Sequence, residues 1–202
     1  MNQLLRVAWL SVLLGLVMEG LLLLVAAGFG NHPLMKLALA ELTQKVSWAT
    51  IVCVGLACGT AATKQRERAM GFAGLLAAPA GFIIARMLHK SATQVLAIAA
   101  PAAAAGPSPL LLAGLKGVEY AVLGVLLGKV GKQQPAGMAR YAGVGMLVGA
   151  TFGGAMVWLL TRPTVNPPLT VVLSRIINEF VFPVGCSLVI YAADSLSHRS
   201  NA

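Results

Sequence analysis

Charged side chains are scarce in this chain. Of its 202 residues only 10% are charged, and only six are acidic, whereas 58% are hydrophobic and the mean hydropathy is +0.83. Soluble domains carry about 25% charged residues. Because a soluble fold of this size cannot bury so much apolar surface, the composition predicts an all-α polytopic integral membrane protein with the lipid bilayer as its solvent and partner.

The residues and motifs that build common catalytic and metal sites are also scarce. There are three cysteines and three histidines, and the odd number of cysteines, all in apolar runs, indicates no disulfide framework. The sequence contains no HExxH, paired CxxC, GxSxG or Walker motif. We therefore expect no metal and no cofactor, and an enzyme is not favoured. An intramembrane enzyme acting on a lipid would need the charged residues to converge on a cavity open to lipid.

Acidic residues are outnumbered by basic ones, which gives a formal charge of +9. The basic residues are scattered over short loops, without a basic helix face or an interleaved aromatic platform, so we expect no nucleic-acid partner. Their distribution instead predicts orientation in the membrane and attraction to anionic lipid headgroups.

Long apolar runs predict about six transmembrane helices in a single domain, 1–202, with a polar, loose tail over 193–202. A hydrocarbon core needs about 20 helical residues per span. The run from Leu34 to Lys45 is expected to be the first turns of a long second helix that emerges from the bilayer, or an interfacial amphipathic turn. Trp48 is expected at the interface. The short apolar run 92–105, interrupted by Pro101, is typical of a re-entrant or interfacial segment. The predicted spans are 4–29, 46–63, 69–88, 109–130, 141–160 and 169–192.

Six spans put both termini on one side. The terminal side then carries eight lysines and arginines in its loops and ends, and the other side carries five, among them Lys36 and Lys45. The positive-inside rule predicts cytoplasmic termini. We expect an integral protein of the bacterial inner (plasma) membrane.

The two halves of the chain, 1–105 and 106–192, resemble each other weakly. The first helix of each carries a central glutamate, the second carries small residues four apart, and the third carries Pro-x-Gly, at Pro79 and Pro183. Three plus three helices would form an inverted repeat, as in many transporters. In a chain with 22 glycines such matches also arise by chance.

Five charged residues fall near the centres of the predicted spans, where each costs about 2.5–3.5 kcal/mol on insertion scales. Lys116 and Glu119 (i, i+3) share a helix face, as do Arg175 and Glu179 (i, i+4). Glu19 has no base within a turn, so it would borrow Lys116 or Arg175, be protonated, or hold a cation. Glu19 is therefore the best single candidate for a titrating or ion-binding group. The alternative is that the pairs only fix helix register.

Polar, small and proline residues complete the candidate set. Asn178 could supply a hydrogen bond beside the last pair, or be a packing residue. The glycine ladder predicts close approach of a neighbouring helix, inside the chain or between subunits. The two prolines predict kinks. Each also leaves one backbone carbonyl without its helical hydrogen bond. Such a carbonyl could bind a cation, although a proline more often produces only a kink. The ladder consists of Gly145, Gly149 and Gly153.

Two hypotheses follow for function. The first is a small channel or secondary transporter for an ion or small solute, with its pathway at Glu19, Lys116, Glu119, Arg175, Asn178 and Glu179. The second is a non-catalytic subunit or scaffold of a larger membrane complex. In either case we expect a homo-oligomer or a membrane protein partner. Convergence of the three glutamates on one cavity would favour transport, and dispersal into packed interfaces would favour a structural role.

Overall fold

Six long helices make up the computed structural model, which describes residues 3–31, 34–61, 64–98, 106–133, 137–162 and 166–199. Each helix is long and apolar enough to cross a membrane. All-α architecture with six candidate spans is thus confirmed. The helices are α1 (Gln3–Gly28), α2 (Met35–Thr60), α3 (Arg66–Val95), α4 (Pro109–Lys132), α5 (Met138–Thr161) and α6 (Leu169–Arg199).

Neighbouring helices pack in sequence order for most of the bundle. α1 packs along α2, α2 along α3 and α3 along α4, while α6 packs against both α1 and α5. α6 also contacts α2 and α4, which places it beside the centre of the bundle. With six crossings, the ends of α1, α3 and α5 and the starts of α2, α4 and α6 share one side. That side is called the loop side below, and the opposite side the terminal side.

Glycines set the closest contacts between helices. On α4, Gly124 lies against the Met70 carbonyl of α3, and Gly128 lies against Glu67. The glycine ladder of α5 faces α6: a β-carbon at Gly149 would lie 2.7 Å from the Phe180 carbonyl oxygen. The ladder is therefore occupied inside the chain, where small residues let two backbones approach.

The backbone hydrogen-bond pattern changes in the middle of α5, from i→i+4 to i→i+5. Its Gly149–Gly153 segment is a π-helix between two α-helical parts, Met138–Val148 and Gly154–Thr161. Such π segments are rare and are often found at functional sites. Here the segment packs on α6 at Glu179 and Phe180, beside one of the candidate site residues.

Both prolines lie inside continuous helices, Pro79 in α3 and Pro183 in α6. Each lacks the N–H that would bond the carbonyl four residues earlier. Those two carbonyls belong to Leu75 and Glu179, and each faces a glycine of a neighbouring helix. A β-carbon at Gly117 would lie 3.2 Å from the Leu75 oxygen, and one at Gly153 would lie 2.7 Å from the Glu179 oxygen. The freed carbonyls thus serve helix packing, and neither has the open surroundings of a cation ligand.

Two sequence predictions about segments are wrong in part. The expected re-entrant run 92–105 begins inside α3, which continues to Val95, while 99–105 lies outside the described residues. The expected loose tail begins inside α6, which runs to Arg199, and 200–202 lies outside the described residues. Trp48, expected at the interface, is buried against Phe82 and Tyr120.

The contact between α3 and α4 predicts a large difference between two glycines of α4. In Gly124→Ala the new methyl collides with the Met70 carbonyl, so we expect a loss of about 1–3 kcal/mol of stability. Gly114 has no atom within 4 Å of its β position, so Gly114→Ala should be neutral or gain about 0.5–1 kcal/mol from helix propensity. Thermal unfolding in detergent measures both, and equal shifts for the two variants would contradict this packing.

Candidate functional site

Lys116 joins two buried glutamates near the middle of the bundle. Its ammonium lies 2.7 Å from Glu119 on the same helix and also forms an ion pair with Glu179 of α6. The structure therefore has the Lys116–Glu119 pair that the spacing predicts, and it adds a partner from α6. All three side chains are buried, with Glu119 fully inaccessible. We call these three residues the triad.

Arg175 does not take the partner that its spacing suggests. Its guanidinium donates a hydrogen bond to the Leu160 carbonyl at the end of α5. Among the described residues no carboxylate lies within ion-pair distance of it, since Glu179 turns to Lys116 instead. The expected Arg175–Glu179 pair is thus replaced by a bond between helices α4 and α6.

Glu19 has a partner that the sequence analysis placed outside the predicted spans. Its carboxylate lies 2.7 Å from the ammonium of Lys45 on α2, and both side chains are buried. Lys45 also contacts Glu41, one turn earlier, at 2.9 Å. Of the three alternatives given for Glu19, the one in which it borrows Lys116 or Arg175 is therefore wrong, because its partner is Lys45.

A close crossing of α1 and α2 explains this pair. A β-carbon at Gly15 would lie 2.7 Å from the Val46 backbone, so only glycine allows the two helices to meet there. The helices run in opposite directions. One turn beyond Gly15 on α1 therefore lies beside the turn before Val46 on α2. The Lys45 side chain leans toward the start of its helix and reaches Glu19 there.

These charges surround a cavity of about 600 Å³ that five helices line. Its polar wall comes mainly from α2, α4 and α6, and its apolar wall includes three aromatic rings. Glu19 and Glu119 lie behind the wall and hold the two lysines that face the cavity. The polar lining is Glu41, Gln44, Lys45, Lys116, Thr170, Ser174, Arg175, Asn178 and Glu179, and the aromatic lining is Trp48, Phe82 and Phe182.

The cavity runs from the loop side to the middle of the bundle. Its lining on α2 extends from Leu37 to Trp48, and on α6 from Thr170 to Phe182. At 1.5 Å per residue, each stretch spans about 17 Å along its helix. Leu37 and Val171 near the helix starts are exposed, so the mouth lies on the loop side.

Apolar side chains fill the bundle beyond the cavity, toward the terminal side. They come from α2, α4 and α6, which also line the cavity, and the six side chains named below are fully buried. This part of the core closes the cavity at its inner end. It includes Cys53, Leu56, Leu123, Leu127, Cys186 and Ile190.

A second polar cluster closes the terminal side. Arg66 at the start of α3 forms an ion pair with Asp194 near the end of α6, and the Tyr141 hydroxyl donates to the same carboxylate at 2.8 Å. These contacts tie α3, α5 and α6 together. The arrangement corrects the prediction that Asp194 belongs to a loose tail, and we call it the terminal-side latch.

The triad and the Lys45 cluster each have two carboxylates on one ammonium, but the Glu41 side chain is 41% exposed, whereas all three triad residues are buried. Two carboxylates share one ammonium, so the fully ionised triad carries one net negative charge. One oxygen of Glu119 has no hydrogen-bond partner among the described residues, and the same is true of the buried Tyr120 hydroxyl. A buried unbalanced charge is costly. The triad can therefore be neutralised by one proton or one monovalent cation.

Sequence reasoning placed five of the seven charged residues around the cavity in the interior of the correct helices, and it singled out one of the five, Glu19, for its isolation. It missed Glu41 and Lys45 as site residues, and it missed that Glu119 and Glu179 share one lysine. Asn178 does line the cavity. Comparison with protein-family models, curated proteins and solved structures gives no match.

Proposed function

We propose that this chain is a secondary transporter for a small solute, in the state open to the loop side. The observation that carries the proposal is the cavity: it is polar and charged, has the volume of a ligand site, and ends at the middle of the bundle. Ligand pockets typically have 300–1,000 Å³ and a few polar groups on a mostly apolar wall. Transporters place such sites at the midplane.

A channel is less well supported than a carrier. A conducting pathway needs polar or hydrated lining on both sides of its narrowest point. Here the terminal half of the bundle is filled by apolar side chains and held by the terminal-side latch. In an alternating-access cycle that half would open after the loop side closes. The latch residues Arg66, Tyr141 and Asp194 would separate in that step.

The triad supplies a coupling site in this proposal. Glu179 lines the cavity while Glu119 lies behind Lys116, so a proton or cation arriving through the cavity reaches the triad at Glu179. Neutralising it removes the net charge before the triad is enclosed. Glu19, which the sequence singled out for this role, has its own lysine, and we assign it the positioning of Lys45.

Reconstituted liposomes test this assignment. We expect wild-type protein to move protons or a monovalent cation in step with a supplied solute, and Glu179→Gln to abolish that coupling because the triad is already neutral. Glu19→Gln should retain coupled flux at a reduced rate, since Lys45 keeps Glu41. Fluorescent pH and ion indicators give the readout.

Two results would contradict the proposal. Wild-type liposomes no leakier than empty ones, across common ions and small solutes, would count against transport. Glu19→Gln abolishing coupling while Glu179→Gln preserves it would move the coupling site back to Glu19. A stoichiometric partner chain in mild detergent, together with no flux, would favour a non-catalytic subunit or scaffold instead.

Orientation and location are part of the proposal. We propose cytoplasmic termini in a bacterial inner membrane. Lys45 is buried among carboxylates and leaves the loop-side count, and Arg66, which pairs with Asp194, leaves the terminal-side count. Four against seven keeps the bias that the positive-inside rule uses. The cavity would then face away from the cytoplasm.

Assembly and internal symmetry also stay proposals. An inverted repeat of α1–α3 and α4–α6 would relate the two states of the carrier by exchanging the roles of the halves. A homo-oligomer or a membrane protein partner would have to use a face other than the glycine ladder, because α6 already covers it.

A further inference from the structure

We propose that the cavity recognises a small organic monoanion, with its carboxylate on Arg175 and its apolar body against the aromatic wall. This inference rests on the proposed transport function and names the substrate class for it.

The three lining cations differ in what already holds them. Lys45 lies between Glu19 and Glu41, and Lys116 lies between Glu119 and Glu179. Both ammonium groups are thus fully compensated by carboxylates. An incoming anion would have to displace one of them.

Arg175 differs from the two lysines because no carboxylate compensates its charge. Within the described part of the chain its guanidinium donates a hydrogen bond to a neutral carbonyl, that of Leu160, and no carboxylate pairs with it. A guanidinium has five N–H donors in a planar fork that fits a carboxylate with two parallel bonds. The Leu160 bond uses one nitrogen and fixes the side chain, so the remaining donors are available to a ligand.

Uncommitted polar side chains lie beside Arg175. Ser174 and Asn178 line the cavity on the same helix, and Gln44 lines it from α2. None of the three has a side-chain hydrogen bond to another described residue. Together they can bind the remaining oxygen lone pairs of a carboxylate, which accepts about four hydrogen bonds.

The rest of the cavity sets the charge and shape of the ligand. Glu41 and Glu179 also line it, and a second negative charge on the ligand would lie among these carboxylates. This favours a monoanion over a phosphate monoester dianion. Trp48, Phe82 and Phe182 provide an apolar wall, and ligand sites of this size use such walls for the body of the molecule.

Binding in detergent tests the inference without requiring transport. The probes are benzoate and indole-3-acetate, each beside its uncharged primary amide, with inorganic phosphate as a further anion. We expect the two carboxylates to raise the unfolding temperature of wild-type protein in a concentration-dependent way, and the amides and phosphate to give much smaller shifts.

Variants identify the residue that binds the ligand carboxylate. Arg175→Gln should weaken carboxylate binding at least about tenfold, the loss expected for hydrogen bonds to a charged group. Arg162→Gln is the matched control: it removes one positive charge from the same side, at a residue that stacks on Trp158 and does not line the cavity. It should bind as wild type does. Arg175→Lys keeps the charge without the fork and should fall between the two.

Each outcome supports or contradicts either the substrate class or the transport proposal. Equal binding of acid and amide, tighter binding of phosphate, or unchanged binding by a folded Arg175→Gln variant would overturn the inference. If Arg175→Gln fails to fold, preference of wild-type protein for acid over amide still decides whether an anion is read. Anion binding without any flux in liposomes would overturn the transport proposal alone. Coupled flux of a neutral solute would overturn only the substrate class.

Discussion

Lys116→Met is expected to destabilise the protein by about 3–5 kcal/mol, which is the cost of removing one partner from a buried ion pair. The variant leaves Glu119 and Glu179 buried without a cation, and Glu119 is fully inaccessible. It also removes the bond between α4 and α6 across the inner end of the cavity. Thermal and denaturant unfolding in detergent measure the loss.

A matched surface variant controls for the removal of a lysine as such. Lys132 at the end of α4 pairs with Glu67, and its side chain is 40% exposed. Exposed pairs are worth about 0–1 kcal/mol, so Lys132→Met should change stability by less than about 1 kcal/mol. A loss at Lys132 as large as that at Lys116 would mean that the triad is not the buried centre that the geometry describes.

A compensated variant separates the structural from the functional role of the triad. Lys116→Met combined with Glu119→Gln and Glu179→Gln leaves no buried charge there, so most of the lost stability should return, as when a buried ion pair is replaced by uncharged groups. Coupled transport should stay absent, because no group remains to take up a proton or cation. Recovery of both stability and coupling would show that the triad only holds the helices together.

The six helices could be predicted from the sequence because their apolar length is a local property. A run of about 20 apolar residues predicts a span whatever lies next to it. The ends of the helices were harder to predict. α3 continues through His89 and Lys90 to Val95, although polar residues after an apolar run indicate the membrane interface. Neither helix propensity nor the later Pro101 indicates where α3 leaves the lipid bilayer.

The pairs within one helix were partly predictable and the pairs between helices were not. Spacing puts Lys116 beside Glu119, which the structure has. Spacing also puts Arg175 near Glu179, but a lysine from α4 reaches that carboxylate instead. Which helices meet, and at what height, is set by glycine contacts such as Gly15 with Val46, and several glycines of this chain could have made such a contact.

One signal for the cavity was present and unused. The α2 residues that line it recur with helical spacing and form one stripe, and the α6 residues do the same. A stripe that mixes charged, amide and aromatic side chains inside an apolar helix is unlike a lipid-facing or packed face. The α2 stripe is Leu37, Glu41, Gln44, Lys45 and Trp48, and the α6 stripe is Val171, Ser174, Arg175, Asn178, Glu179 and Phe182.

Cross-linking Cys53 to Cys186 is expected to stop transport almost completely. The two buried sulfur atoms, on α2 and α6, lie 3.2 Å apart in the apolar half that closes the cavity. A membrane-permeant two-electron oxidant such as iodine would remove one hydrogen from each thiol and join the sulfurs in a bond of about 2.05 Å. The two helices would then be tied in the half that has to open in the proposed alternating-access cycle.

The assay uses a Cys58→Ser background, because Cys58 is exposed and would react separately. Intact mass verifies the cross-link, and a thiol reductant should restore flux. Cys53→Ser in the same background cannot form the bond, so the oxidant should leave its flux unchanged. The bond should not prevent solute binding, because the cavity opens to the other side. Undiminished flux through fully cross-linked protein would mean that α2 and α6 do not separate there, and the solute would have to leave by another route.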